Sequence, residues 1–332
     1  MPSPLPFLDN LLAQHALSGA VALAFEHQLF DFLTPGADAT AVAQHFGWQP
    51  EPVGHWLRLL WSGELLQQQA EGYRTHPDAQ AYLCRSGTRY IGDAWRYRQQ
   101  LLQQFARRLP DLLNRSTPRR QDPLEIDTAW ADAALSQIAQ EQRALSGDTA
   151  CAIASDLADF QRPAQLLDMG GGPGLITLAL ARRFPQLSGV VLDLPKTATV
   201  AQHNIERAGL SARFRALSQL PETPQVDIIW CSSLLYFMED RQAMVQQLFR
   251  RLKPGGLLIS AHAEVPSDPA EARQVLPFFT PLMMRGYSVT NEGELTQQLQ
   301  QVGFTIEAIK RLQPFPMSPL NVHLARKPKT SD

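Results

Sequence analysis

The segment Leu166-Leu167-Asp168-Met169-Gly170-Gly171-Gly172-Pro173-Gly174 constrains this chain more than any other. A short apolar run that ends in glycines and leads into a helical pattern from Leu175 reads as strand, tight turn and helix. Glycines let the backbone turn sharply and pass close to a ligand where a Cβ would intrude, and the helix aims its N-terminus at the same place. Strand-like runs at 165–169, 189–192, 213–217, 227–232 and 257–261 alternate with amphipathic helices that start near Leu175, Thr197 and Asp240. Such alternation implies βαβ units and a mostly parallel sheet with helices on both faces, a doubly wound α/β domain. Ligands in such sheets bind beyond the carboxyl ends of the strands, so the residues just after each strand hold the chemical information.

The chain before Pro163 differs in character. Its first 150 residues read as helices almost throughout, with no sustained period-2 alternation. Short helices at 40–46 and 53–61 are joined by Gly47-Trp48-Gln49-Pro50, and 64–66 with 73–75 read as a small β-hairpin, so this stretch resembles a winged helix. Its second helix offers one arginine, Arg58, and two tryptophans, Trp56 and Trp61, where a groove-reading helix needs several polar or basic side chains. The sequence therefore divides into a helical, winged-helix-like domain over 1–150 and an α/β domain over 151–332.

Composition removes several function classes. Thirty basic against 32 acidic side chains give a net charge of -2, no field for holding a polyphosphate, so nucleic acid is not the expected partner. No apolar run approaches the roughly 20 residues of a membrane span. Cys84, Cys151 and Cys231 are too far apart in sequence to suggest a disulfide framework or a cysteine zinc site. The start lacks a charged region followed by an apolar one, and a reduced cytoplasm is the expected compartment.

The glycine turn also discriminates among cofactors. With Gly170 and Gly172 as the first pair of a dinucleotide fingerprint, the third glycine position falls on Leu175, and no Gly-Lys-Ser/Thr follows for a P-loop. Asp193, after the second strand, supplies a carboxylate that can accept both hydroxyls of an adenosine ribose. The segment resembles the Asp-x-Gly-Gly-Gly-x-Gly turn of methyltransferases that use S-adenosylmethionine (SAM). The likeness continues through Leu192-Asp193-Leu194-Pro195 and Arg251-Leu252-Lys253-Pro254-Gly255-Gly256-Leu257-Leu258-Ile259. With its helical front half, the chain is identified as a member of the small-molecule O-methyltransferase family, whose members are typically dimers. The resemblance implies a SAM cofactor, S-adenosylhomocysteine as product, no metal, a small and aromatic or conjugated acceptor, and a front domain that dimerises and caps the substrate. It also implies that Gly170 and Gly172 line the methionine moiety, Asp193 holds the ribose, Leu194 packs near the adenine, and Asp168 fixes the turn or the cofactor's ammonium group. Ser232, at the end of the fourth strand, would lie close to the cofactor.

Two departures stand out against that resemblance. Relatives carry an acidic residue after the third strand, where this chain reads Ala216-Leu217-Ser218-Gln219, leaving Ser218 with one hydroxyl. Relatives also carry Leu-His-Asp-Trp after the fourth strand, with the histidine as general base, whereas here Tyr236 occupies the histidine position. A phenol with an ordinary pKa of about 10 is a poor base at neutral pH and a good hydrogen-bond partner, so Tyr236 is read as an orienting group. Three accounts stay open: an acceptor that arrives as an anion, a carbon, nitrogen or sulfur nucleophile, or a relocated base at His262 or Glu264. A SAM-binding protein whose transfer activity is lost or redirected is the further alternative. Trp95, Trp130, Phe279 and Met283 are the expected pocket residues, because side chains of this kind wrap a flat apolar molecule.

Overall fold

A computed structural model of the chain describes residues 4–114, 123–219, 225–313 and 319–329. It divides into two compact units, Met1–Leu101 and Leu102–Asp332. The sequence reading puts the division at 150. The difference arises because the helices just before the sheet pack on it, α7 (Pro123–Leu135) against α11 (Pro195–Arg207) and α9 (Gly147–Ser155) against α10 (Leu175–Arg183).

The first unit starts with α1 (Leu5–Glu26), α2 (Leu29–Phe32), α3 (Ala39–Phe46) and α4 (Pro50–Ser62), followed by β1 (Leu66–Gln69), β2 (Gly72–Thr75) and α5 (Gln80–Leu83). Asp38 caps α3 by accepting the Ala41 N–H at 2.7 Å, and Pro50 opens α4 at a position where a helix has no use for an N–H. The strands β1 and β2 pair antiparallel from Leu66↔Thr75 to Gln69↔Gly72. Phe25, Leu29, Phe30, Leu33, Val42, Leu57, Leu60 and Leu66 are buried together as its core. The start of α1 leaves Leu8, Leu11 and Leu12 exposed. α6 (Gly92–Leu113) runs across the division.

In the second unit, α7, α8 (Gln137–Glu141), a π-helical turn at Gln142–Ser146 and α9 precede the sheet. The sheet comprises β3 (Ala164–Met169), β4 (Leu187–Leu192), β5 (Phe214–Leu217), β6 (Val226–Ser232), β7 (Leu252–His262), β8 (Thr305–Leu312) and β9 (Leu320–Arg326), with α10, α11, α12 (Arg241–Arg251), α13 (Pro269–Met283) and α14 (Glu294–Val302) between strands. Among the described residues the strand order is β5-β4-β3-β6-β7-β9-β8. The first five strands are parallel, while β9 is antiparallel to both β7 and β8. The chain winds outward from β3 in one direction through β4 and β5, then returns to the other side with β6, so the topological switch point lies between β3 and β6.

Both faces of the central strands are covered, which is why they read as continuous apolar runs. Leu166, Val191, Ile228, Trp230 and Ile259 pack on one face with Ile176, Phe160 and Phe279. Leu167, Met169, Ile229, Cys231 and Leu258 pack on the other with Val245, Leu248, Leu295 and Leu299. Each fully buried aliphatic side chain contributes about 2 kcal/mol by transfer from water. The β8–β9 pair was not among the expected strands, although β8 alternates exposed and half-buried residues as a strand covered on one face does.

Strands β3 and β4 are in direct register at Leu166↔Gly189, and a Cβ on Gly189 would fall 1.9 Å from the Leu166 carbonyl oxygen. Only glycine fits this approach. Gly189→Ala is expected to destabilise the protein by about 3 kcal/mol or more. Urea denaturation checks this, and an unchanged midpoint would contradict the register.

Candidate functional site

The loop after β3 is built from left-handed residues: Gly170, Gly172 and Gly174 have φ of +71°, +59° and +74°. Its amides are used internally. The N–H groups of Gly170 and Gly171 donate to the Leu192 carbonyl at 2.8 and 3.3 Å, and that of Gly174 to the Gly171 carbonyl at 3.0 Å. The Gly172 N–H donates to Asp193 Oδ2 at 2.7 Å, and the first amide of α10, Leu175, donates to Gln142 Oε1 at 3.0 Å. A phosphate cradle needs a row of N–H groups aimed outward, and these point inward. The loop is shaped for close backbone approach without an anion.

Asp193 follows β4 and is held from both sides. Its Oδ1 accepts the Leu194 N–H at 2.7 Å while Oδ2 takes Gly172, so each oxygen keeps capacity for a further donor. Burial raises its pKa, the two amides lower it, and neighbouring Asp127 raises it again. Asp168, at the end of β3, is 1% exposed and accepts the Thr177 hydroxyl at 2.6 Å. Burial pushes its carboxyl up to about 7, with the Thr177 hydrogen bond opposing and Asp193 reinforcing the shift. It lies beneath the glycine loop, since a Cβ on Gly171 would come within 2.7 Å of its carboxylate.

The other expected cofactor residues lie at the same edge of the sheet. Ser218 is exposed just after β5, and Ser232 ends β6 with its hydroxyl accepting the Trp230 indole N–H at 3.2 Å. Leu194 is exposed beside Asp193. Adjacent strand ends thus present the Asp193 carboxylate, two hydroxyls and a glycine loop, with the Asp168 carboxyl buried beneath it. A group that carries positive charge and a ribose diol, and no phosphate, fits this donor and acceptor set, as SAM does.

Tyr236 and His262 differ from the sequence expectation. Tyr236 is 3% exposed, its hydroxyl accepts the Ala263 N–H, and burial raises its pKa. His262 is 1% exposed; Nε2 accepts the N–H groups of Leu234 and Leu235, both at 3.1 Å, and Nδ1 lies 2.9 Å from Ser260 Oγ. Burial lowers its pKa to about 3, helped by His323 and Arg241. With both ring nitrogens engaged, His262 has no lone pair to offer an acceptor, which corrects its candidacy as a relocated base. Glu264 is similarly committed: its carboxylate accepts Leu295 N–H at 3.2 Å and Asn321 Nδ2 at 2.7 Å.

Of the expected pocket residues, Trp130 and Phe279 lie on one run of aromatic contacts, but Phe279 is 1% exposed in the core of the second unit, which corrects its place in the pocket. Trp130 meets Phe237 edge-on at 4.8 Å, Phe237 meets Tyr287 at 5.3 Å and Tyr236 at 6.2 Å, and Tyr236 meets Phe279 at 5.0 Å, an aromatic chain within the second unit. Met283 is half-buried at the end of α13. Trp95 belongs to the first unit, where its ring packs 5.7 Å from Phe25.

Sequence reasoning missed Gln142, Thr177 and Asn204. Gln142 also donates from Nε2 to the Gly171 carbonyl at 3.2 Å, and Asn204 Nδ2 donates to the Pro173 carbonyl at 2.9 Å, so two amide side chains tie the loop down. Thr177, in the first turn after the glycines, was the one with a readable signal.

Asp168 provides a check on this arrangement. A carboxyl whose folded pKa is raised stabilises the protein fully at acid pH and loses that contribution as pH rises through 7. Between pH 6 and 8 the unliganded protein should lose about 1 kcal/mol through this group. Asp168→Asn should abolish that slope in urea denaturation, and an identical slope in the variant would place the carboxyl's titration elsewhere.

Comparison with known proteins bears on the family and the fold. A methyltransferase domain model matches residues 139–309, just over half of the chain. The L-tyrosine C(3)-methyltransferase of Streptomyces lavendulae is 25% identical over 52% of this chain and 50% of its own length. The N,N-dimethyltransferase OxyT of Streptomyces rimosus is 24% identical over 92% of each. The chain spans about half the length, or less, of the first curated relatives it matches. An O-methyltransferase family protein from Burkholderia thailandensis superimposes with a TM-score of 0.79 at 19% identity, covering 100% of both chains. Human N-acetylserotonin methyltransferase, solved in complex with SAM, does so at 0.74 and 17%, covering 99% of both. The chain belongs to the methyltransferase domain family, and its Rossmann-like fold is the one that implies SAM as cofactor.

Proposed function

We propose that this chain transfers the methyl group of SAM to a small acceptor molecule, with an oxygen nucleophile on an aromatic or conjugated framework as the first reading. The observation that carries it is the Asp193 carboxylate, fixed by the Gly172 and Leu194 amides with hydrogen-bonding capacity left on both oxygens. That capacity suits the two ribose hydroxyls. Gly170 and Gly172 would line the methionine part, Leu194 would cover the adenine, and Ser218 and Ser232 would flank it, while Asp168, buried beneath the loop, would fix the turn.

When bound, SAM supplies a methyl group on a sulfonium whose leaving group is a neutral thioether. The protein's share is to align an acceptor whose lone pair is free. At the position where relatives keep a histidine base, the Tyr236 hydroxyl is committed to the Ala263 amide and its raised pKa keeps it protonated. This favours acceptors that bring their own lone pair: a carboxylate, an acidic phenol, or an amine such as the name of the Streptomyces rimosus relative suggests. The half-buried Trp130 and Phe237, which meet edge-on at 4.8 Å, support a flat acceptor.

Calorimetric titration with S-adenosylhomocysteine is expected to show binding to the protein and none to Asp193→Ala; normal binding by that variant would count decisively against the assignment. Incubation with methyl-labelled SAM and a metabolite extract then separates transfer from binding alone, a labelled product being the expected result. The exposed Leu8, Leu11 and Leu12 of α1, at 49%, 50% and 72%, support a homodimer that covers them. Sedimentation velocity should give a dimer, and a monomer at micromolar concentration would remove that part of the reading.

A further inference from the structure

We infer that His262 is a positioning residue of the cofactor site, its neutral imidazole holding the loop after β6 against the glycine turn; the inference rests on the reading of that turn as the SAM site. The loop starts at Ser233, whose φ of +53° is rare for a non-glycine residue. Four hydrogen bonds tie it to the end of β7. The Ser233 N–H donates to the Ala261 carbonyl at 3.0 Å, the Leu234 and Leu235 N–H groups converge on His262 Nε2, and the Ala263 N–H returns to the Tyr236 hydroxyl. Two of the four depend on one ring nitrogen.

What the loop holds is Leu234. Its side chain lies against Gly170, so closely that a Cβ on that glycine would come within 2.8 Å of Leu234 Cδ1. Gly170 begins the turn that would line the methionine part of the cofactor, and Leu234 is the wall behind it. If the amides of Leu234 and Leu235 lost their acceptor, that wall would lose its anchor.

The chemistry of the anchor is specific. An acceptor Nε2 carries no proton, so the ring hydrogen sits on Nδ1 and donates to Ser260 Oγ, 2.9 Å away. A proton on Nε2 would set N–H against N–H at both amides. Burial disfavours such a proton, and so do the groups that face the ring from the packed elements, His323 of β9, opposite Ser260, and Arg241 of α12. Tyr236 stacks edge-on against the ring at 5.3 Å and makes its hydroxyl bond elsewhere, and Glu264, two residues further along, is held by Leu295 and Asn321. Ser260, His262 and the two amides form a closed set, in which each polar atom of the ring has one role.

The test compares His262→Ala with His262→Gln, whose side-chain oxygen can accept the same amides and cannot be protonated near neutral pH. S-adenosylhomocysteine affinity, read by calorimetry, should fall about tenfold or more in the alanine variant, since two buried N–H groups lose their acceptor, and return to within about threefold in the glutamine variant. Long-range ¹H–¹⁵N NMR of the histidine rings in the unmodified protein should show His262 as the neutral Nδ1–H tautomer, unchanged from pH 8 to pH 5. This second measurement is independent of how either variant folds. Unaltered affinity in His262→Ala, an Nε2–H tautomer, or titration of this ring near the ordinary histidine value of about 6.5 would each overturn the inference and leave the cofactor reading intact. Failure of the unmodified protein to bind S-adenosylhomocysteine would overturn both.

Discussion

The site depends on one carboxylate that spans two strand ends. Asp193 follows β4, yet its Oδ2 takes the amide of Gly172 from the loop after β3, while Oδ1 takes the amide of its own neighbour Leu194. A carboxylate accepting backbone amides at 2.7 Å is fixed in rotation as well as in position, and these charge-assisted bonds are worth more than neutral ones. The glycine loop is thereby locked to the adjacent strand, and the acid remains able to accept more.

Around that lock the loop is satisfied almost entirely from within. Leu192, Gly171 and Gln142 take the amides that a phosphate-binding turn would leave for its ligand, and Gln142 and Asn204 donate to loop carbonyls. Gln142 sits on a π-helical turn, a local irregularity that shifts the direction of one side chain without ending the helix. Two folds with the same strand-glycine-helix grammar can therefore serve a pyrophosphate or a cationic sulfonium donor. What differs is where the N–H groups point.

The end of β6 is tied to the end of β7 by side chains that cross the gap in both directions. Tyr236 is turned toward β7 and receives the Ala263 amide, while His262 reaches back across the same gap to receive Leu234 and Leu235. The exchange is reciprocal, each side chain accepting backbone amides from the other segment. Burial keeps both neutral, the phenol against the opposing pull of the Ala263 amide and the imidazole in the state that its two accepted amides require. The loop after β6 is thereby held in a defined shape.

The local sequence settled the α/β order of the second unit, the glycine turn and the acid that follows β4, because each depends on residues close together in the chain: apolar runs of strand length, glycines that allow a left-handed backbone, and a carboxylate just past a strand end. It was also enough for the helix-turn-helix and hairpin of the first unit. Tertiary structure alone decided the rest. The unit boundary lies at Leu101 because α7 and α9 pack against helices of the sheet, and packing partners far along the chain leave no local signature. Whether His262 is a base or an anchor turns on which amides converge on its nitrogens, and Gln142 reaches the loop only through a fold contact across 33 residues. Residue type limits what a side chain can do, but the direction and company of its lone pairs, which fix what it does, are set by elements distant in sequence.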